Sequence, residues 1–126
     1  MPELTKIMAS EAEAAVRAAL RLFDRWRISD DAARKILGGL PPETYSRWKA
    51  GNIGRIGHHR AVRLSLLMGI HMGLRLFFKD PDRGYAWVTK PNEAFGGKSP
   101  IEVMAHRDIS GLAHVHRYLN AGCGSW

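Results

Sequence analysis

The sequence holds a single cysteine, Cys123, among 126 residues. One cysteine excludes an intramolecular disulfide framework and a structural zinc site built on several thiolates. Long apolar runs are missing too. The most hydrophobic stretch, residues 64–78, is interrupted by His71 and Arg75 and is shorter than the roughly 20 residues that span a bilayer as a helix, so no membrane partner is expected. The opening MPELTKIMASEAEAA carries acids where a secretory leader carries positive charge and then an apolar segment. The expected location is therefore the cytoplasm. A chain of this length makes one domain, or two small subdomains around a shared core. A catalytic barrel or a doubly wound dinucleotide fold needs more residues.

Acid is absent from Thr44 to Lys79, a stretch that carries Arg47, Lys49, Arg55, Arg60, Arg63, Arg75 and Lys79. Outside it, twelve basic residues balance twelve acidic ones, so the whole formal charge of +7 sits in that one stretch. A local basic field attracts polyanions, nucleic acid first.

Strand-like alternation does not persist anywhere, and three- and four-residue apolar spacing recurs throughout. The expected fold class is all-α, with six or seven helices. Ser10-x-x-Glu13 reads as a capping box opening the first helix, whose apolar residues Ala12, Ala15 or Val16, Ala19 or Leu20, Phe23 and Trp26 recur at three- and four-residue spacing. Ser29 reads as the N-cap of a short second helix with Asp30 and Asp31 in its first turn. Gly38-Gly39 ends it and Pro41-Pro42 starts the third, which stops near Gly51. A glycine-bearing link (Gly51, Gly54, Gly57) precedes a long apolar helix over about 59–78. Asp80-Pro81 opens a short helix with Tyr85 and Trp87, Ser99-Pro100 opens another, and a last helix covers about 110–120. The organisation read from this is an N-terminal helix plus a DNA-binding region over 1–56, then a second helical unit over 57–126.

Residues 29–52 have the layout of a helix-turn-helix: two short helices around a glycine turn, the second placed to enter the major groove. On that second helix Tyr45 and Trp48, three apart, face the core. Glu43, Thr44, Ser46, Arg47 and Lys49 face outward, where hydroxyls bind phosphate and arginine binds phosphate or a guanine edge. Asn52 and Arg55 follow in position for backbone contacts, with His58 and Arg60 behind them. Asp30 and Asp31 oppose DNA at the start of the first of the two helices. The turn is about one residue longer than usual, measured from Ala33 to the glycine.

Six histidines do not make a metal site. His114 and His116 are two apart and diverge on a helix. His58-His59 has no cysteine or carboxylate at ligand spacing. Gly69-x-x-x-Gly73 permits close helix approach on the long apolar helix, which is expected to be central in the core and to form a homodimer contact. Neither a nucleophile–base pair, a carboxylate pair nor a phosphate loop stands out, so an enzyme is not expected and no cofactor is implied.

The marks Trp87, Pro91-Asn92, Phe95-Gly96-Gly97, Ser99-Pro100-Ile101-Glu102 and the G-x-x-x-V-x-x-x-L of Gly111, Val115 and Leu119 fall in one segment. That segment, Trp87 to Cys123, resembles the toxin-binding domain of the Xre/MbcA/ParS antitoxins, and the helix-turn-helix half fits the same family. The resemblance implies the antitoxin of a type II toxin–antitoxin pair whose cognate toxin is a RES-domain enzyme that destroys NAD+. It implies a non-enzymatic homodimer that covers the toxin's NAD pocket and represses its own operon by binding operator DNA. In that setting the terminal Gly122, Cys123, Gly124, Ser125 and Trp126 read as a toxin-binding arm, since a terminal tryptophan is a good pocket-filling anchor, and Lys98 reads as a further toxin contact. The alternative is a stand-alone dimeric helix-turn-helix transcriptional regulator.

Overall fold

A computed structural model describes the backbone of residues 2–106 and 108–124, and side chains over 11–106 and 108–121. The described chain is all-helical: α1 (Pro2–Trp26), α2 (Asp30–Ile36), α3 (Pro42–Lys49), α4 (His58–Phe77), α5 (Pro81–Trp87), α6 (Pro100–Met104) and α7 (Ser110–Gly124), with one 3₁₀ turn at Glu93–Phe95.

The caps explain most of the boundaries. The Ser29 hydroxyl accepts the amide of Ala32 at 3.1 Å and starts α2. Asp80 accepts the amide of Asp82 and starts α5, with Pro81 in the first turn. Ser99 and Glu102 make a reciprocal capping box at the start of α6. Two boundaries differ from the sequence reading. The backbone is already helical from Pro2, so Ser10-x-x-Glu13 lies inside α1 rather than opening it. Helix α7 continues to Gly124 rather than stopping near Asn120, because glycine lowers helix propensity without forbidding a helix that is already nucleated.

The core gathers around α4, whose Leu64, Leu67, Ile70 and Leu74 are buried. Helix α1 lays Val16, Ala19, Phe23 and Trp26 against it, and α7 lays Leu112, Val115 and Leu119. The expected glycine pair on α4 is used inside the chain. A Cβ at Gly73 would sit 3.0 Å from Cβ of Leu119, and one at Gly69 would run into the ring of His116. These two glycines therefore set the α4–α7 approach and are not free for a second copy of the chain.

A chain of aromatic rings fixes the C-terminal half. Trp87 stacks on Tyr118 at 5.9 Å and 13°, Phe95 meets Tyr118 edge-on at 5.1 Å, and Phe78 lies 6.0 Å from Trp87. The 3₁₀ turn that delivers Phe95 is tied by Asn92, whose side chain accepts from Ala94 and whose carbonyl accepts from Phe95 and Gly97. Pairs of this geometry add about 0.5–1.5 kcal/mol each beyond area burial. Among the described residues no helix is long and apolar enough to cross a membrane.

Candidate functional site

Helices α2 and α3 form the expected bihelical unit. Tyr45 and Trp48 are buried on the inner face of α3, which turns the opposite face to solvent. Ser46 and Arg47 are exposed there, and Arg47 Nη2 donates to the half-buried Thr44 hydroxyl at 3.3 Å. Thr44, Arg47 and Arg55 line one groove of about 360 Å³, floored by Trp48 and Ile53. Asn52 is exposed, and its amide closes the end of α3 on the carbonyl of Arg47. Lys49 does not join the groove. Its ammonium is held by Asp30 at 2.6 Å and lies 4.9 Å over the ring of Tyr45. Asp30 therefore acts on Lys49 directly, and Asp31 is occupied with Arg34 and Lys35. The Tyr45 phenol is pushed up to about 12, by burial first and then by Asp30 and Asp24.

The basic stretch of the sequence does not become one basic surface. Arg63 is only 2% exposed. Its Nη1 donates to the carbonyl of Ile36 at 3.2 Å and its Nε to Nε2 of His59 at 3.1 Å. Arg60 donates to the carbonyls of Leu37 and Gly38 at 2.8 and 3.4 Å. Both guanidiniums thus satisfy carbonyls at the C-terminal end of α2, the negative end of its dipole. Burial, and then the adjacent Arg60, push the Arg63 pKa down against the pull of Asp108. The pair explains the turn glycine. Gly38 has φ +91°, and a Cβ there would lie 2.7 Å from Nε of Arg63 and 3.0 Å from Nη1 of Arg60. Sequence reasoning counted both arginines in the outward field and missed this role. The signal available was only their three-residue spacing, which puts both on one face of α4.

A second concavity lies in the C-terminal half, about 620 Å³, where Lys98, Glu102, His106, His114 and Arg117 surround Phe95. Lys98 is exposed at its rim. His114 packs on the edge of Phe95 at 5.0 Å, while the ring nitrogens of His116 reach Asn120. The two histidines therefore diverge, and among the described residues no group of three histidine, cysteine or carboxylate side chains could hold a metal ion. Gly111 lines this wall too, and a Cβ there would strike the carbonyl of Val103. The cleft mixes charges of both signs around an aromatic floor, which suits a polar protein segment better than an apolar ligand. His106 and Arg117 were not singled out by the sequence, and Glu102 only as a family mark, since they converge only when α6 and α7 fold together.

A third surface is apolar. Met72, Leu76 and Phe77 on the outer side of α4 are 63, 73 and 41% exposed. Of the terminal arm, Gly122, Cys123 and Gly124 are described as helical backbone of α7. Ser125 and Trp126 lie outside the described residues.

Known proteins give this arrangement its context. Residues 7–69 match the Antitoxin Xre-like helix-turn-helix domain, and residues 73–121 match the Antitoxin Xre/MbcA/ParS C-terminal toxin-binding domain. The uncharacterized protein y4oB of Sinorhizobium fredii (strain NBRC 101917 / NGR234) is 31% identical over 116 residues, covering 92% of this chain and 89% of that protein. No solved structure matches. The boundary between the two matched segments falls within α4, between Gly69 and Gly73. The chain belongs to the Xre-type antitoxins, with a helix-turn-helix domain followed by an Xre/MbcA/ParS toxin-binding domain.

Proposed function

We propose that the protein is the antitoxin of a type II pair whose toxin is a RES-domain, NAD+-degrading enzyme. On this reading it blocks the toxin's active site and represses the shared operon by binding operator DNA. The observation that carries it is the joining of both matched domains through one helix, α4, in a single chain. The protein acts by binding alone, in the cytoplasm, without cofactor or catalytic step. Its functional division is a DNA-binding region over 1–56 and a toxin-binding and dimerisation region over 57–126.

Arg47, Arg55 and Thr44 hold operator phosphates or base edges from their common groove, with Ser46 and Asn52 beside it and Lys49 in a lesser role because Asp30 holds it. Lys98 contacts the toxin at the rim of the α6–α7 cleft. Gly122, Cys123, Gly124, Ser125 and Trp126 bind the toxin, with Trp126 as the anchor in its pocket. The exposed Met72, Leu76 and Phe77 form the homodimer contact, since apolar side chains clustered at a helix end are an association site.

Co-expression with the product of the adjacent gene, followed by an NAD+ consumption assay, tests the reading. A stable complex that silences NAD+ loss is expected, and removal of Ser125 and Trp126 is expected to restore much of the loss. Operator binding with no complex would replace the antitoxin with a stand-alone regulator. Full silencing by the truncated protein would remove the tail from the mechanism.

A further inference from the structure

Between α1, α4 and α5 lies a cleft of about 380 Å³ lined by Arg21, Arg25, His71, Arg75 and Tyr85, with Leu22 beside them. Arg21 and Arg25 are four apart on α1, and His71 and Arg75 four apart on α4, so each pair stacks along one helix face. No carboxylate lines the cleft. Among the described residues, none of the three guanidiniums has a carboxylate oxygen within 4.0 Å. Asp24 and Asp82 sit in an adjoining hollow that shares Arg25 and Tyr85. The Arg25 guanidinium lies 6.0 Å from the Tyr85 ring centre.

Nδ1 of His71 is buried and lacks a hydrogen-bond partner. Burial, then Arg75 and Arg25, push the His71 pKa down, which favours the uncharged ring beside the arginines. Three like charges converging on one concave site repel one another and focus a positive potential there. Guanidiniums are the groups that bind phosphate oxygens in bidentate fashion. We propose that this cleft binds a small phosphorylated ligand, with Arg21, Arg25 and Arg75 on its phosphate oxygens and Tyr85 and Leu22 against its organic part.

Its volume is that of a small-molecule site. Its position separates it from the α3 groove. Arg60, which lines that groove, precedes Arg75 by fifteen residues on α4, or about 22 Å of helix. The cleft also joins the two matched segments. Arg21 and Arg25 belong to the first, and Arg75 and Tyr85 to the second. A phosphate held by both ties α1 to the start of the toxin-binding domain.

Calorimetric titration of the full chain at low ionic strength with pyrophosphate, ADP and inorganic phosphate tests this. Saturable one-to-one binding of pyrophosphate is expected. Arg75→Gln should weaken it about tenfold, equivalent to about 1.4 kcal/mol, and Arg21→Gln/Arg75→Gln should abolish it. Both side chains are exposed, and an unchanged circular dichroism spectrum checks the fold. A rise in the wild-type melting temperature with pyrophosphate gives a readout independent of the variants. Tighter binding of ADP than of pyrophosphate means that the organic part is read, and equal binding means that only phosphate is. Absence of binding by all three probes overturns the proposal, as does equal affinity in the double variant. Loss of operator affinity in that variant, without phosphate binding, would assign these arginines to the nucleic-acid interface instead.

Discussion

Arg63 on α4 donates Nη1 to the carbonyl of Ile36 at the end of α2, 27 positions earlier in the chain. This bond anchors the helix-turn-helix to the central helix of the fold. A carbonyl at a helix C-terminus has no partner within its own helix, and a buried one left unpaired costs about 1–3 kcal/mol. Arg60 does the same for the two carbonyls that follow. The turn between α2 and α3 must then leave room for two guanidiniums, and Gly38 provides it.

Gly38→Ala is therefore expected to cost more than Gly39→Ala. Both positions have positive φ, +91° and +82°, but only at Gly38 does a Cβ meet anything within 4 Å. The positive φ alone costs an alanine about 1–2 kcal/mol. Displacing Arg63 and Arg60 from their carbonyls should bring Gly38→Ala to about 2–4 kcal/mol. Urea unfolding of the two variants measures the difference. Equal losses would show that the arginines can yield without cost.

The groove on α3 predicts an order among basic residues that the sequence presents as equals. Arg47→Ala and Arg55→Ala should each flatten the salt dependence of operator binding by about one unit. Lys49→Ala should do so less, because Asp30 already neutralises that ammonium at 2.6 Å. Asp30→Asn should tighten binding by releasing Lys49 and removing a negative charge from the face. Fluorescence anisotropy over a salt series checks all four. A Lys49→Ala slope change as large as that of Arg47→Ala would show that the ion pair opens on DNA.

Tyr45 predicts an alkaline limit. Its folded-state pKa, about 12 against an ordinary 10.0, means that the folded state favours the neutral phenol. Its contribution is fully present below pH 10 and is lost as the pH rises towards 12. The full difference is about 2–3 kcal/mol. Tyr45→Phe should keep the packing and remove this part of the fall. The comparison is of chemical denaturation midpoints from pH 9 to pH 12 for the two proteins. Parallel curves would place the alkaline transition on other groups.

Much of the fold was legible because its signals are local. Ser29, Asp80 and Ser99 announce helix starts by side-chain bonds two or three residues long, and the helical spacing of Leu112, Val115 and Leu119 marks a buried face. That Thr44, Arg47 and Arg55 lie near one another was legible because α3 and its following loop keep them close in sequence. The cleft beside Lys98 was not legible, because Glu102, His106 and Arg117 reach it from α6, α7 and the link between them.

The sequence by itself determined the helical class, the caps at Ser29, Asp80 and Ser99, the inward faces of α3 and α7, and the family marks around Trp87, Phe95 and Gly111. It could not say which partner each long-range group would meet. The acid-free run of basic residues was divided among several places in the fold. Arg47 and Arg55 line the α3 groove, Arg60 borders that groove and with Arg63 caps α2, Lys49 pairs with Asp30, and Arg75 lines a cleft with Arg21 and Arg25 of α1. The same holds for Gly69 and Gly73, which fit α7 rather than a second copy. Periodicity depends on neighbours within a turn or two. Charge pairing, carbonyl capping and glycine contacts depend on which helices the burial of apolar surface brings together, and only the tertiary structure decides that.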